Sequence, residues 1–271
     1  MVVAMAKDKS GQWWDASWSV VTGCSWPEGH VPDGCTNCWA EAMANRFGMV
    51  GHPWGEVHSH PEKLDWPLQK KKPMVWAVSL LGDLFHPEVP DAFIDEVFHV
   101  MTGEASAEPA TPHVYVILTK RPERVIKVIS GWSVVDRDPM RCALALGSQH
   151  RLGSWNRVYI LASVWDQQST DEAMKWLCMV SDVARIGLHM EPLLGPVVLP
   201  ETAVNLSWVV VGAENGSSRR PMDPQWAMDL EKQCETIGIP FWLKQWDPDQ
   251  PMNHSTRQRP WGYPEQRDMG F

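Results

Sequence analysis

Residues 74–101, MVWAVSLLGDLFHPEVPDAFIDEVFHVM, carry an unbroken apolar run, a polar turn and a helix-patterned segment, in that order. Met74 to Leu80 reads as a strand, because a short continuous run rich in apolar and β-branched residues fits a strand covered on both faces. Pro90 suits the start of a helix, and Phe93, Ile94, Val97, Phe98 and Met101 recur at the spacing of one helical face. A covered strand followed by an amphipathic helix is the repeating unit of a parallel α/β sheet.

The same alternation extends in both directions. Upstream, Trp18 to Val21 is a first strand ending at Gly23; a cysteine-bearing loop follows, then a helix over Glu41 to Phe47 that stops at Gly48. Met49 to Pro73, with several His and Trp residues and the run Lys70, Lys71, Lys72, reads as an irregular excursion. Downstream, Val114 to Leu118 is a strand running into Thr119, Lys120 and Arg121, with Pro122 in the first turn of the next helix. Val158 to Ser163 is another strand, and its helix covers Thr170 to Val183, capped by Ser169 or Thr170. Ile186 to Met190 and Trp208 to Val211 follow, then a helix from about Pro224 to Thr236 and a last short strand, Phe241 to Lys244. Residues 103–112 and 131–156 read as loops, the second long enough for a lid.

Six or seven parallel strands interleaved with helices predict an α/β barrel or partial barrel. One domain over residues 1–271 is expected, with its core at about 18–246 and a polar tail from 247. Loops at the C-terminal ends of such strands converge on one face. The polar residues at those ends, the loop cysteines with Asp83, Lys120, Arg121, Ser163, Glu191, Glu214 and Lys244, are therefore expected around one pocket.

Composition narrows the function classes. Among 271 residues, 24 Lys and Arg against 33 Asp and Glu give a formal charge of -9, which excludes a generally basic nucleic-acid coat. Contact with phosphate then falls to local patches: Lys70 to Lys72, Arg219 with Arg220, or Arg257 with Arg259. With 44% hydrophobic and 21% charged residues the chain is globular rather than disordered. No stretch approaches a membrane span, and Met1 to Gln12 lacks a signal core, so a cytoplasmic protein with no membrane association is expected. The 17 Trp against 6 Phe and 3 Tyr read mainly as packing.

Of six cysteines, Cys24, Cys35 and Cys38 crowd into fifteen residues, while Cys142, Cys178 and Cys234 stand apart and read as ordinary thiols. The crowded three admit two metal chemistries. One is structural zinc held by Cys24, His30, Cys35 and Cys38. The other is an iron-sulfur cluster with three protein thiolates, whose remaining iron is open to an outside ligand. S-adenosylmethionine chelated there can accept an electron, break a carbon-sulfur bond and yield a 5′-deoxyadenosyl radical. The position of the cysteines between the first strand and its helix, at the mouth where polar strand ends meet, favours the cluster.

The stretches SWSVVTGCS, DGCTNCWAEAMANRF, VSLLGDLFHP, ILTKRP, MEPLLGP, VVVGAENG and FWLKQW, in this order over Trp18 to Trp246, resemble a phage-associated three-cysteine family of the radical SAM superfamily. The resemblance implies a partial (β/α)6-type TIM-like barrel, the radical SAM fold, with a four-iron four-sulfur cluster on Cys24, Cys35 and Cys38 and S-adenosyl-L-methionine as cofactor. The chain departs from the usual CxxxCxxC pattern: ten residues separate Cys24 from Cys35, Asn37 precedes Cys38, and Trp39 follows it. Ser79, Gly82 and Asp83 match the position that holds the methionine amino group, although Asp83 equally suits a turn cap. Lys120 suits the cofactor carboxylate, Ser163 the ribose, and Glu191, Gly212 and Glu214 further cofactor contacts; pairing of a glutamate with Arg219 or Arg220 is the structural alternative. Arg121, Lys244 and Gln245 are candidate substrate contacts, and no catalytic residue is singled out.

Phage context and a more distant likeness to spore photoproduct lyase point to a thymine base of DNA or a modified nucleotide. An electron donor is the other partner. The reactions considered are isomerisation of a glycine-bearing thymidine and repair of a thymine dimer; a zinc-stabilised binding module is the non-enzymatic alternative.

Overall fold

The computed structural model describes residues 11–103, 111–131, 155–181, 184–246 and 257–261. Cys142, most of both loops read from the sequence, including the lid, and most of the polar tail lie outside them.

Seven parallel strands form one half-barrel sheet in the order β1-β4-β5-β6-β7-β8-β9. These are β1 (Ala16–Trp18), β4 (Val75–Val78), β5 (Val114–Thr119), β6 (Val158–Ser163), β7 (Arg185–Met190), β8 (Trp208–Gly212) and β9 (Phe241–Gln245). The sheet therefore has one strand more than a (β/α)6 count. The helices are α1 (Trp39–Phe47), α2 (Asp91–Thr102), α3 (Pro122–Gly131), α4 (Gln167–Leu177) and α5 (Pro224–Ile237).

Three expectations need correcting. The run Trp18 to Val21 is not one strand. The chain turns after Trp18, and β2 (Val21–Thr22) leaves the sheet to pair antiparallel with β3 (His58–Ser59), inside the excursion read as irregular. The α4 helix begins earlier than Thr170. Asp166 is its N-cap, accepting from the Ser169 amide while the Ser169 hydroxyl accepts from the Asp166 amide, so both orphan donors of the first turn are satisfied. No helix follows β7: Pro192, Pro196 and Pro200 interrupt any helical run, and a 3-10 turn over Glu201–Asn205 takes its place.

Alternation along each strand divides the interior into two layers. Tyr115, Ile117, Ile160, Leu188 and Val209 face α2 to α5 and join the larger core, including the five residues expected on the α2 face. Val114, Val116, Tyr159, Leu161, Val210 and Trp242 face the concave side, where Trp13, Trp208 and Trp261 complete a second apolar cluster. Four of the 17 tryptophans, Trp13, Trp208, Trp242 and Trp261, thus fill the bottom of the half-barrel, and Trp18, Trp76 and Trp155 pack in the larger core.

Trp13 is fully buried and packs edge-on against Trp208, with ring centroids 5.5 Å apart. Its segment carries the chain from one sheet edge to the other. Trp242 Nε1 donates to the Gly11 carbonyl at 2.7 Å, and the Asp15 amide donates to Val75 at 2.9 Å. Only glycine fits at position 11, where φ is +87° and a Cβ would lie 2.0 Å from the Lys244 carbonyl oxygen. Among the described residues no helix is long and apolar enough to cross a membrane.

Candidate functional site

The inward-facing positions change character as the strands rise. On β7 they run Gly187, His189 and then Glu191; on β6, Tyr159, Leu161 and Ser163; on β9, Trp242 and Lys244. Polar side chains at the C-terminal ends therefore roof the apolar layer and enclose a cavity of about 420 Å³. Cys24, Cys35 and Cys38 line it, as do Ser79, Gly82, Asp83, Lys120, Arg121, Ser163, Glu191, Glu214, Lys244 and Gln245. Of the residues that the resemblance assigns to the cluster, the cofactor or the substrate, Gly212 alone does not; it packs beneath Glu191 and Lys244, with its Cβ position 3.4 Å from each.

Convergence does not give each residue the role expected of it. Asp83 is buried, and its carboxylate is filled by protein donors: the Phe85 amide at 2.9 Å, the Thr119 hydroxyl at 2.9 Å, the Lys120 amide at 3.1 Å and Arg121 at 3.1 Å. It holds Arg121. Arg121 in turn donates through Nη2 to the Ser25 carbonyl at 2.6 Å and through Nη1 to the Cys24 sulfur at 3.6 Å, and it lies 4.1 Å from the Trp26 ring centroid. With 4% of its side chain exposed, it clamps the cysteine loop.

Glu214 performs the same task from the opposite wall. It accepts from Asn37 Nδ2 at 3.0 Å, between Cys35 and Cys38, and from the Arg220 amide and Nε at 2.7 and 3.0 Å; Arg220 also donates to the Asp33 carbonyl at 2.9 Å. Burial pushes the Glu214 carboxyl up, but the hydrogen bonds from Arg220 and Asn37 outweigh it and leave it below its ordinary value. This is the structural pairing, with Arg220 rather than Arg219. Arg257 and Arg259 are likewise committed, lying 5.7 and 5.0 Å from the Trp242 ring centroid.

At the far end of the cavity Glu191 accepts from Lys244 Nζ at 2.6 and 2.8 Å and from Asn215 at 2.7 Å. Gln245 bridges Asn215 and the Ala213 carbonyl at 2.7 and 3.0 Å. The Lys120 ammonium has no hydrogen bond or ion pair among the described residues, so it is the uncommitted cation of the cavity.

Sequence reasoning missed His189, Trp13 and Trp14. His189 lies 3.4 Å from Glu191, and its Nδ1 is buried without a hydrogen bond, as is Trp13 Nε1. With Trp26 Nε1 they make three unsatisfied buried nitrogens on residues lining one cavity, an arrangement that suits a polar ligand or ordered water. Burial holds the His189 imidazole down at about 4, against the pull of Glu191 and with the help of Lys244 and Lys120. The usable signal was the period of two: Gly187 is inward, so His189 and Glu191 share its direction.

A family profile described as "Protein of unknown function (DUF5131)" matches residues 9–261. The chain belongs to the DUF5131 family. Neither curated proteins nor solved structures gave a match.

In this DUF5131 protein the cysteine donor set can be tested against the two metals it suggested. Zinc-bound sulfurs sit ~2.3 Å from the ion, which brings four tetrahedral donors within roughly 4 Å of one another. Among the described residues, Cys24, Cys35 and Cys38 do not all lie within 4.8 Å of one another, so they do not gather about one ion-sized point. His30 is exposed, hydrogen-bonds the Glu28 carbonyl at 2.8 Å and does not line the cavity. Burial pushes the Cys24 thiol up to about 11, with Arg121 opposing it, and raises Cys35 with Lys120 opposing it.

Proposed function

We propose that this DUF5131 protein is a radical SAM enzyme that holds a four-iron four-sulfur cluster through Cys24, Cys35 and Cys38 and acts on a thymine base of DNA or a modified nucleotide. The observation that carries the reading is the convergence of three thiols, one uncommitted cation and three orphaned buried nitrogens on a single cavity at the strand ends. Its ~420 Å³ falls within the ~300–1,000 Å³ of small-molecule sites. When bound, the cluster would supply an electron to the sulfonium of S-adenosylmethionine and so release the 5′-deoxyadenosyl radical.

The chain's own residues would bind, orient and shield. Arg121 and Glu214 fix the two ends of the cysteine loop, and Gly34 lies so close to the Trp165 ring that a Cβ would come within 2.4 Å. Lys120 would pair with the cofactor carboxylate, as an ammonium without a protein partner favours an anion. Ser79, with a positive φ of 54°, turns the chain so that Gly82 meets Gly23 across a backbone bridge, leaving the β4 end open to the methionine amino group. His189 and Trp13 would direct their unused nitrogens to polar atoms of the ligands. The Glu191–Lys244 pair and Gln245 would meet substrate; the thymine assignment draws only on the family resemblance, with isomerisation of a glycine-bearing thymidine as the specific form.

The test is metal analysis after anaerobic reconstitution. About four irons and four sulfides per chain, lost in Cys24→Ala, Cys35→Ala and Cys38→Ala and retained in Cys178→Ala, support the reading. One zinc and no sulfide, with that zinc lost in Cys24→Ala, Cys35→Ala and Cys38→Ala, would replace it with the zinc-stabilised module.

A further inference from the structure

Outside this cavity, the excursion between α1 and β4 gathers a second set of metal-ligating side chains. His52, Glu56 and His58 bring their donor atoms within 4.8 Å of one another, the only such group among the described residues. The backbone builds it: β3 pairs with β2 in a register that sets His58 opposite Thr22, and the turn from His52 to Glu56 folds back over that pair. The His52 and His58 rings stack at 3.9 Å and 23°, and Glu56 Oε2 lies 3.4 Å from His58 Nε2. Side-chain exposure is 47% for His58 and 60% for Glu56, so core packing does not force the three together.

A hydrogen count gives an independent reason to place an ion there. Pro53 carbonyl, His52, the Thr22 hydroxyl, His60 and Glu62 form one chain of contacts: 2.9 Å at His52 Nδ1, 2.8 and 2.7 Å at Thr22 Oγ1, and 3.0 Å at His60 Nδ1. Both ends accept only. Four links need four hydrogens, but two neutral imidazoles and one hydroxyl supply three. A cation in place of the hydrogen at His52 Nδ1 removes the deficit without requiring an imidazolium, the other way to satisfy all four links: His52 Nε2 then donates to Thr22, Thr22 to His60, and His60 to Glu62. A ligating imidazole whose other nitrogen donates to a buried group is the usual outer-sphere arrangement, and Thr22 is 2% exposed.

We infer that His52, Glu56 and His58 form a binding site for a borderline divalent transition ion of the zinc class, with water completing the coordination. Two imidazoles and a carboxylate are a common donor set for such ions. The ion would staple the turn that supports the cysteine loop from outside. Cys24 donates its amide to the Trp54 carbonyl at 2.9 Å, Trp54 lines the cavity, and a Cβ at Gly23 would lie 1.8 Å from the Glu56 carbonyl oxygen. The inference stands apart from the cluster reading, since none of its ligands is a cysteine.

Cobalt(II) titration of the chelator-treated, reduced full-length chain tests it, because nitrogen and oxygen donors give weak visible bands and thiolates add intense near-ultraviolet charge transfer. The expected result is one site with the nitrogen/oxygen spectrum, weakened roughly tenfold or more in Glu56→Gln and in His58→Gln and kept in Cys38→Ala. Glu56→Gln changes an exposed side chain, so its metal-free unfolding midpoint should match the parent; it decides the matter if His58→Gln does not fold. Unchanged affinity in Glu56→Gln, or a purely thiolate spectrum lost in Cys38→Ala, overturns the inference.

Discussion

Replacing Arg121 with Met keeps an unbranched apolar stem but ends it near the Nε position, which removes the guanidinium bonds to Asp83, Ser25 and Cys24. Arg121 and Asp83 are 4% and 7% exposed, so the change breaks a buried ion pair, for which the usual loss is ~3–5 kcal/mol. Asp83 would keep three donors, Thr119, Phe85 N and Lys120 N, which moderates the charge left behind. The bond to Ser25 and the stacking on Trp26 go with the guanidinium, each worth ~1–2 kcal/mol and not additive with the pair. A net loss of about 4 kcal/mol follows. Arg121→Lys can pair with Asp83 but cannot fork to Ser25 as well, so it should fall between the parent and Arg121→Met. Urea unfolding of the metal-free, reduced chain reads both. A loss under about 1 kcal/mol in Arg121→Met, or Lys and Met variants of equal stability, would refute the clamp.

Three further outcomes follow from other parts of the fold. His189 has a folded value of about 4 against an ordinary 6.5, so the unfolded chain binds its proton first; the contribution is complete above pH 6.5 and falls by about 3 kcal/mol as pH drops to 4. His189→Phe should flatten unfolding free energy over that window, and an unchanged slope would contradict the burial assigned to it. Asp166→Ala should cost ~1 kcal/mol by thermal unfolding through loss of the α4 capping box, and a neutral effect would remove that role. Gly23→Ala meets both a φ of +81° and the Glu56 carbonyl, and should lose more than ~2 kcal/mol. Gly216→Ala, at φ +109° in open space, should lose only the backbone term, and equal losses in the two variants would show that the clash is relieved.

Much of this architecture was legible because the central strands are covered on both faces. Val75–Val78, Val158–Ser163 and Trp208–Gly212 are buried throughout and announce themselves as apolar runs. β1 did not: it is a three-residue edge strand with Ser17 exposed, and Val21, which looked like its end, pairs elsewhere. The α4 start was misread because Asp166, Ser169 and Thr170 are all capping types, and only the geometry shows that Asp166 and Ser169 act together. Strand-end polarity predicted the cavity, since parallel register fixes those ends on one face.

Partnerships escaped the sequence. Asp83 and Arg121 are 38 residues apart and meet because β4 and β5 are neighbours, whereas Asn37 and Glu214, 177 apart, meet across the cavity from loops after β1 and β8, which are far apart in the strand order. That is why the sequence could not show that Asp83, Arg121 and Glu214 hold the cysteine loop, or that the Lys120 ammonium has no hydrogen bond or ion pair among the described residues.

The central claim is that three thiols leave one iron open to S-adenosylmethionine, and reductive cleavage measures that directly. The reconstituted chain, reduced anaerobically with dithionite and given S-adenosylmethionine, should form 5′-deoxyadenosine and methionine in equal amounts, with none formed by Cys35→Ala. Absence of 5′-deoxyadenosine from protein carrying a full complement of iron and sulfide would contradict the account.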